Sequence, residues 1–207
     1  MSEQTDTPKE TLYYDQRSVA LRTAQSVYFV EEHDKISMID VLLNEYKSTQ
    51  TIIVVKSKKT ADILSEFLIS QNLNATAIHG NHREVQQKEV ATKFNLGTLN
   101  ILITTDMILK TLELENIKLI LSHDLPNNAQ EYYNRLALMK EKGISMAFIS
   151  PEDKVLLSDI EYNMKAEIEV KILEGFESTA TPRVTTKKDR KKKPRHRKSR
   201  VRKVKDL

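Results

Sequence analysis

Two periods alternate along this chain. Short apolar runs rich in β-branched residues stand at 51–55 (TIIVV) and 100–104 (NILIT), each bounded by polar residues. Such runs suit parallel strands covered on both faces. In 26–32, Val27 and Phe29 alternate with Tyr28 and Val30, the period of a strand. Strands are likewise predicted over 75–79, 118–122 and 144–149. Between them the spacing turns helical. Ile36, Ile39, Val41, Leu42, Leu43 and Tyr46 line one face, and Ala61, Ile63, Leu64, Phe67 and Leu68 another. Further helices are predicted over 85–95, 129–141 and 155–165. Gly97 stands where a C-cap belongs, Gly143 is read as closing the helix before it, and Ser150-Pro151-Glu152-Asp153 has the composition of a helix start. Strands and helices alternating through short connections predict an α/β fold, a parallel sheet with helices on both faces. Residues 1–24 lack a sustained period and read as a lead-in, and the folded domain is expected over 25–176. Residues 177–207 are small, polar or basic and are expected to form a disordered tail.

Charge divides the chain more sharply than hydropathy does. Residues 183–205 hold 14 Lys and Arg, and the acids after Pro182 are Asp189 and Asp206, a net of +12. The remainder holds 19 Lys and Arg against 27 Asp and Glu, a net of −8, which together give the formal +4. An acidic body with a basic tail predicts a polyanionic partner, RNA or a ribonucleoprotein, reached mainly through the tail. Lys191, Lys192, Lys193, Arg195, Arg197, Lys198, Arg200 and Arg202 are the candidate contacts. The tail has no aromatic residue to stack on bases, so its binding should be electrostatic and poor at reading sequence. There is no cysteine, hence no disulfide framework and no thiolate zinc site. No apolar run approaches the roughly 20 residues of a membrane span, and the polar N-terminus carries no apolar signal core. A cytoplasmic protein with no membrane partner is expected.

Most catalytic signatures are missing. None of the four glycines precedes a lysine, so there is no G-x-x-x-x-G-K-[ST] phosphate cradle. There is no G-x-G-x-x-G and no G-x-S-x-G. His79 and His82 flank a Gly-Asn turn and are read as turn residues rather than metal ligands; no metal and no cofactor is expected for the isolated chain. What remains is the carboxyl end of the 100–104 run, where open α/β sheets place their ligands. Thr104 and Thr105 can donate hydroxyls to a phosphate, and Asp106 can hold a turn or a ribose. Asp106 can equally be a plain helix N-cap.

In order along the chain, several segments resemble the C-terminal RecA-like domain of DEAD-box RNA helicases. The resemblance runs from Ser26 to Phe176, about three quarters of the sequence. TIIVVKSKKTADILSEFL resembles the strand and helix at motif IV, and ATAIHGNHREVQQKEVATKF the HGD…QxxR segment. NILITTDMILKTLEL resembles motif V. LILSHDLPNNAQEYYNRLALMKEKG resembles the D-L-P turn through motif VI, and ISMAFISPEDKVLLSDIE the closing strand and helix. The fold this implies is a RecA-like parallel sheet. The RNA-facing positions it implies are Ser57, Gly80, Thr105 and Asp106, with Lys58 and Lys59 adding charge beside them.

The same comparison marks departures. Lys110-Thr111 stands where motif V has Arg-Gly, and its ribose-contacting aspartate is Glu113. In motif VI the histidine is Asn134 and the next arginine survives as Arg135. The two later arginines, which in the family reach the γ-phosphate, are Leu138 and Glu141. Glu84 and Gln87 replace the Gln and Arg of QxxR. Glu113 and Arg135 are thus remnant ATP-cleft positions. No P-loop and no D-E-A-D box precede this domain in the sequence, which begins with Met1 just ahead of it. Three functions follow as expectations. One is an RNA-binding protein on a degenerate helicase domain, without ATPase activity on its own. Another is the C-terminal half of a split ATP-dependent helicase, with ATP and Mg engaged only beside a separate N-terminal RecA-like domain. The third is a protein-interaction module regulating a helicase or ribonucleoprotein.

Overall fold

The computed structural model describes residues 20, 23–139 and 142–179. Seven strands, β1 (Ala24–Phe29), β2 (Thr51–Val54), β3 (Ala75–Ile78), β4 (Ile101–Thr104), β5 (Leu119–Ser122), β6 (Ile144–Ile149) and β7 (Glu169–Lys171), form one sheet. Their order is β3-β4-β2-β5-β6-β1-β7, and every pairing is parallel. The helices are α1 (Lys35–Glu45), α2 (Lys58–Ser70), α3 (Glu84–Asn95), α4 (Asp106–Leu109), α5 (Ala129–Ala137) and α6 (Lys154–Met164). The sheet carries a core on each side. Met38, Ile39, Leu42 and Leu43 of α1 and Ala61, Leu64 and Leu68 of α2 cover one face, with Ile53, Ile101, Ile103, Leu119 and Leu121 beneath. Residues of α3, α4, α5 and α6, among them Phe94, Ile108, Tyr132 and Ile160, cover the other, over Ile52, Leu102 and Ile120. Strand side chains alternate between faces, so the continuous apolar run of β4 feeds both cores at once. Ile101, Leu102 and Ile103 are 5%, 0% and 0% exposed; burial of each contributes about 1.5–3 kcal/mol.

The predicted strands and helices are present, with local differences. β1 stops at Phe29, and a 3₁₀ turn over Glu32–Asp34 takes the end of the strand expected to reach residue 32. The alternation in β1 holds: Tyr28 and Val30 enter one core and Val27 the other, while Phe29 is half-exposed with the Lys154 ammonium 5.4 Å from its ring centre. α5 ends at Ala137, well before Gly143. Gly143 instead lies so close to Met139 that a Cβ would collide with its sulfur, and its carbonyl accepts from the Ala24 amide at 3.0 Å. Gly97 does follow α3 with φ +73°, the left-handed conformation glycine adopts without strain. Ser150 and Asp153 form a capping box ahead of α6. α4 and β7 are additions. α4 is only four residues long, and β7 is an exposed edge strand of sequence Glu-Val-Lys with no buried alternation to betray it.

Beyond β7 the chain turns back over the sheet. Leu173 and Phe176 pack on the α1–α2 face. Asp34, nearly covered, then accepts three hydrogen bonds: from the Ser178 hydroxyl (3.0 Å), the Thr179 amide (2.8 Å) and the Thr179 hydroxyl (2.5 Å). Order therefore extends past Phe176 to Thr179, held by a carboxylate 145 residues earlier in the chain. Lys191 to Arg202, and with them the basic tail, lie outside the described residues, as do residues 1–19 and Glu141.

Candidate nucleic-acid interface

Parallel strands deliver their carboxyl ends to one edge of the sheet, and the side chains singled out in the body collect there. Ser57 follows β2 and caps α2: its Oγ accepts from the Thr60 amide at 3.0 Å and lies 2.7 Å from the Thr60 hydroxyl. The cap arises because Ser57 is extended while the next residue begins the helix. Lys58 reaches across to the turn after β3, donating to Asn81 Oδ1 at 2.7 Å. A Cβ at Gly80 would lie 3.2 Å from Met107 Cε and 3.5 Å from Lys58 Nζ. Lys58, Gly80, Asn81 and Met107 thus form one exposed patch drawn from the starts of α2 and α4 and the turn after β3, with Lys59 exposed beside it.

Thr105 occupies the N-cap position of α4, but its hydroxyl makes no capping bond. Asp106, read as a possible N-cap, is instead the first residue of α4, and its carboxylate is taken by Arg135. Arg135 Nε donates to Oδ1 and Nη2 to Oδ2, both at 2.7 Å. Nη1 donates to Ser122 Oγ at 2.7 Å and to the Asp124 carbonyl at 2.8 Å. Arg135 is 2% exposed. A forked guanidinium is well matched to a carboxylate, and here it ties the α4 turn to α5 and the end of β5. Tyr132, one turn earlier on α5, is buried too and donates to Gln25 at 2.9 Å; burial pushes its hydroxyl up to about 12. Leu138, where the family has an arginine, packs partly buried against the α3–α6 core.

Glu113 lies elsewhere. With Glu84, Gln87, Lys88 and Asn95 it lines a groove of about 540 Å³ between α3 and the turn after α4. Lys88 pairs with Glu84 at 2.7 Å. The two remnant cleft positions are therefore not a pair: Arg135 faces the interior, and Glu113 borders a groove already carrying a second carboxylate.

A further network at the same sheet edge had no signature in the sequence. Lys35 Nζ lies 2.9 Å from Asp124 Oδ1 and 2.7 Å from Glu32. Asp124 Oδ2 also accepts from the Lys56 amide at 3.0 Å and contacts His123 Nδ1 at 3.0 Å. Burial pushes Asp124 up, but His123, Lys35 and the Lys56 amide outweigh it and hold the carboxyl well below the usual range. Its members are 89 residues apart in the chain, and only the turn at Asp124-Leu125-Pro126 was legible. Glu32, His123 and Asp124 have the proximity of metal ligands, but the Lys35 ammonium already supplies the cation between the two carboxylates. His79 is engaged on both ring nitrogens, Nε2 to Asp62 at 2.8 Å and Nδ1 to the Asn81 amide at 3.4 Å.

The profile described as helicase conserved C-terminal domain matches residues 34–137, half of the chain. The chain belongs to that family. Its fold is similar to the E. coli DEAD-box protein SrmB in a structure bound to the regulator of ribonuclease activity RraA. That match has TM-score 0.69 and 17% identity, and covers 77% of this chain and 98% of that one. It is also similar to a DEAD-box protein from the hyperthermophile Methanococcus jannaschii (TM-score 0.68, 23% identity, 80% of this chain, 49% of that one). A third similar structure is S. cerevisiae Dbp5 bound to RNA and ADP BeF3 (TM-score 0.67, 21% identity, 72% of this chain, 42% of that one). The chain thus spans less than half the length of the latter two. The RecA-like expectation for the fold is met, and no helix among the described residues is long and apolar enough to cross a membrane.

Proposed function

We propose that this helicase C-terminal domain works as an RNA-binding protein without ATP hydrolysis of its own, with the basic segment 183–205 supplying most of the affinity. The observation that carries the reading is the charge division: 14 Lys and Arg in that segment against a body of net −8. Long-range attraction to a phosphate backbone has to come from the tail. The patch of Ser57, Lys58, Lys59 and Gly80, with Thr105 behind it, is the body's contribution, a small one beside 14 cations. The cleft residues do not fit a nucleotide polyphosphate. Arg135 is committed to Asp106, Leu138 is packed on the core, and Glu84 presents a carboxylate where a phosphate contact belongs in the family.

A second reading, one half of a two-part ATP-dependent helicase completed by a separate N-terminal RecA-like domain, is favoured by the fraction of the M. jannaschii and Dbp5 chains that this one spans. A protein-partner role finds an analogue in SrmB, whose structure includes RraA. The deciding experiment is a titration of labelled single-stranded RNA with the full chain and with a chain ending at Thr179, at several salt concentrations. Each cation that neutralises a phosphate contributes a slope of about −0.7 on single strands. Engagement of six to ten tail residues then means a loss on the order of a hundred- to ten-thousand-fold between about 50 and 200 mM salt. The shortened chain should bind barely and with a flat slope. If it binds as tightly as the full chain, the body is the anchor and the reading fails.

A further inference from the structure

The edge strand β7 is the last strand before the tail and lies in an acidic stretch of the chain. Among the described residues β7 pairs with β1 alone, at the edge of the sheet. All three of its residues are exposed. Val170, opposite Val27, lies on the face that α6 covers, and it is 55% exposed; Ile172 just beyond is 92% exposed, and the Ile168 amide ahead of β7 donates to Glu161 of α6 at 2.9 Å. An open strand edge with uncovered apolar side chains is a template for an extended segment.

Charge says what kind of segment. Residues 150–179 carry eight acids (Glu152, Asp153, Asp159, Glu161, Glu167, Glu169, Glu174 and Glu177) against Lys154, Lys165 and Lys171, a net of −5, so most of the body's −8 lies here. The tail that follows is +12.

Geometry says which segment. β7 runs parallel to β1, so Lys171 and Phe29 end on the same side of the sheet, and Asp34 follows five residues after Phe29. Asp34 is the residue that holds Ser178 and Thr179. The tail's root is therefore held at the carboxyl end of the sheet, on the α1–α2 face, where Lys35 beside Asp34 pairs with Asp124 after β5. Its 28 residues beyond Thr179 extend at most about 3.3–3.6 Å each, ample to return along β7. A tether this short gives a high local concentration with no further contact needed.

We propose that residues 180–207 dock in cis along the outer edge of β7 and the neighbouring face of α6, so that the acidic edge masks the basic segment until a stronger polyanion takes it. The masking rests on the RNA-binding reading, whereas the docking does not. The chain has no cysteine, so Ser199→Cys in the full chain gives a unique site for a nitroxide label. At low salt, paramagnetic broadening should at least halve the amide signals of residues 168–172 relative to those of β3 on the opposite edge. It should vanish near 1 M salt, where screening falls to about 3 Å, and in the variant Glu167→Gln/Glu169→Gln/Glu174→Gln, whose spectrum otherwise stays dispersed. Absence of broadening at β7, broadening centred elsewhere, or insensitivity to the three glutamates overturns the docking. Broadening of unlabelled, isotope-enriched chains mixed with labelled ones overturns the in-cis assignment in favour of a second copy. Added single-stranded RNA should relieve the broadening. Relief supports the masking, while persistence with RNA bound overturns the masking and leaves the docking in place.

Discussion

Arg135 closes a two-bond fork on Asp106, at 2.7 Å on each side, from a position 2% exposed. Two residues that resemblance assigns to different surfaces, one to RNA and one to the ATP cleft, thereby satisfy each other. The pair joins the turn after β4 to α5 and, through Ser122 and the Asp124 carbonyl, to the end of β5.

Removing one partner is costly because it strands the other. Asp106→Ala leaves a buried guanidinium with only two neutral acceptors and should destabilise by about 3–5 kcal/mol. Arg135→Met should cost less, because Asp106 is 23% exposed and recovers water. The double variant should be more stable than the sum of the two losses predicts, by about 0.5–3 kcal/mol of coupling. Urea unfolding of the four proteins measures this; additive losses would mean the fork contributes nothing as a pair.

Asp124 predicts an acid limb of stability. Its carboxyl is depressed in the fold, against burial, by His123, Lys35 and the Lys56 amide. A depressed carboxyl stabilises the fold above its unfolded value of about 3.9, and that contribution is lost as pH falls towards the folded value. Asp34 acts with the same sign, chiefly through the Thr179 hydroxyl. Stability should therefore decline from about pH 5 downwards. Asp124→Asn should be less stable by about 1–3 kcal/mol near neutrality and show a shallower acid limb. Chemical denaturation across pH for both proteins tests it; parallel curves would remove Asp124 from the account.

The middle of the sheet gives a simpler contrast. Ile101→Ala and Ile103→Ala should each cost about 2–5 kcal/mol as core truncations. Lys110→Ala should cost under about 1 kcal/mol: its side chain is 51% exposed and only 3.9 Å from Glu131 at best. Denaturant midpoints of the three rank them, and Lys110→Ala as the worst would contradict the placement of β4.

What was legible in the sequence follows from which forces are local. Doubly covered strands announce themselves by runs such as TIIV and ILIT, because both faces need apolar side chains. Gly97 is a local conformational choice and reads correctly at the end of a helix, whereas Ser57, expected in a turn, caps a helix that begins at Lys58. β7 was invisible because an edge strand of Glu-Val-Lys buries none of its residues. The Arg135–Asp106 fork and the Lys35–Asp124 and Asp34–Thr179 contacts were hidden for another reason. Each joins residues 29 to 145 positions apart, and no periodicity encodes which distant charge a side chain meets.

Position 138 carries the last prediction, catalytic silence. In the family an arginine there reaches the γ-phosphate, and such a group contributes roughly 10³- to 10⁵-fold to turnover. Here the side chain is leucine, and it packs against the α3–α6 core rather than standing free over a cleft. The sequence also lacks a phosphate cradle. The purified chain should therefore show no RNA-stimulated ATP hydrolysis. Adding an N-terminal RecA-like helicase domain in trans should not raise that domain's own turnover. Leu138→Arg should not rescue it, because Glu141 still stands at the second arginine position and Glu84 at a phosphate-contact position. Phosphate release with and without RNA, followed through successive purification steps, is the measurement. Turnover that co-purifies with the chain and is stimulated by the added domain would make this chain a working half of a helicase.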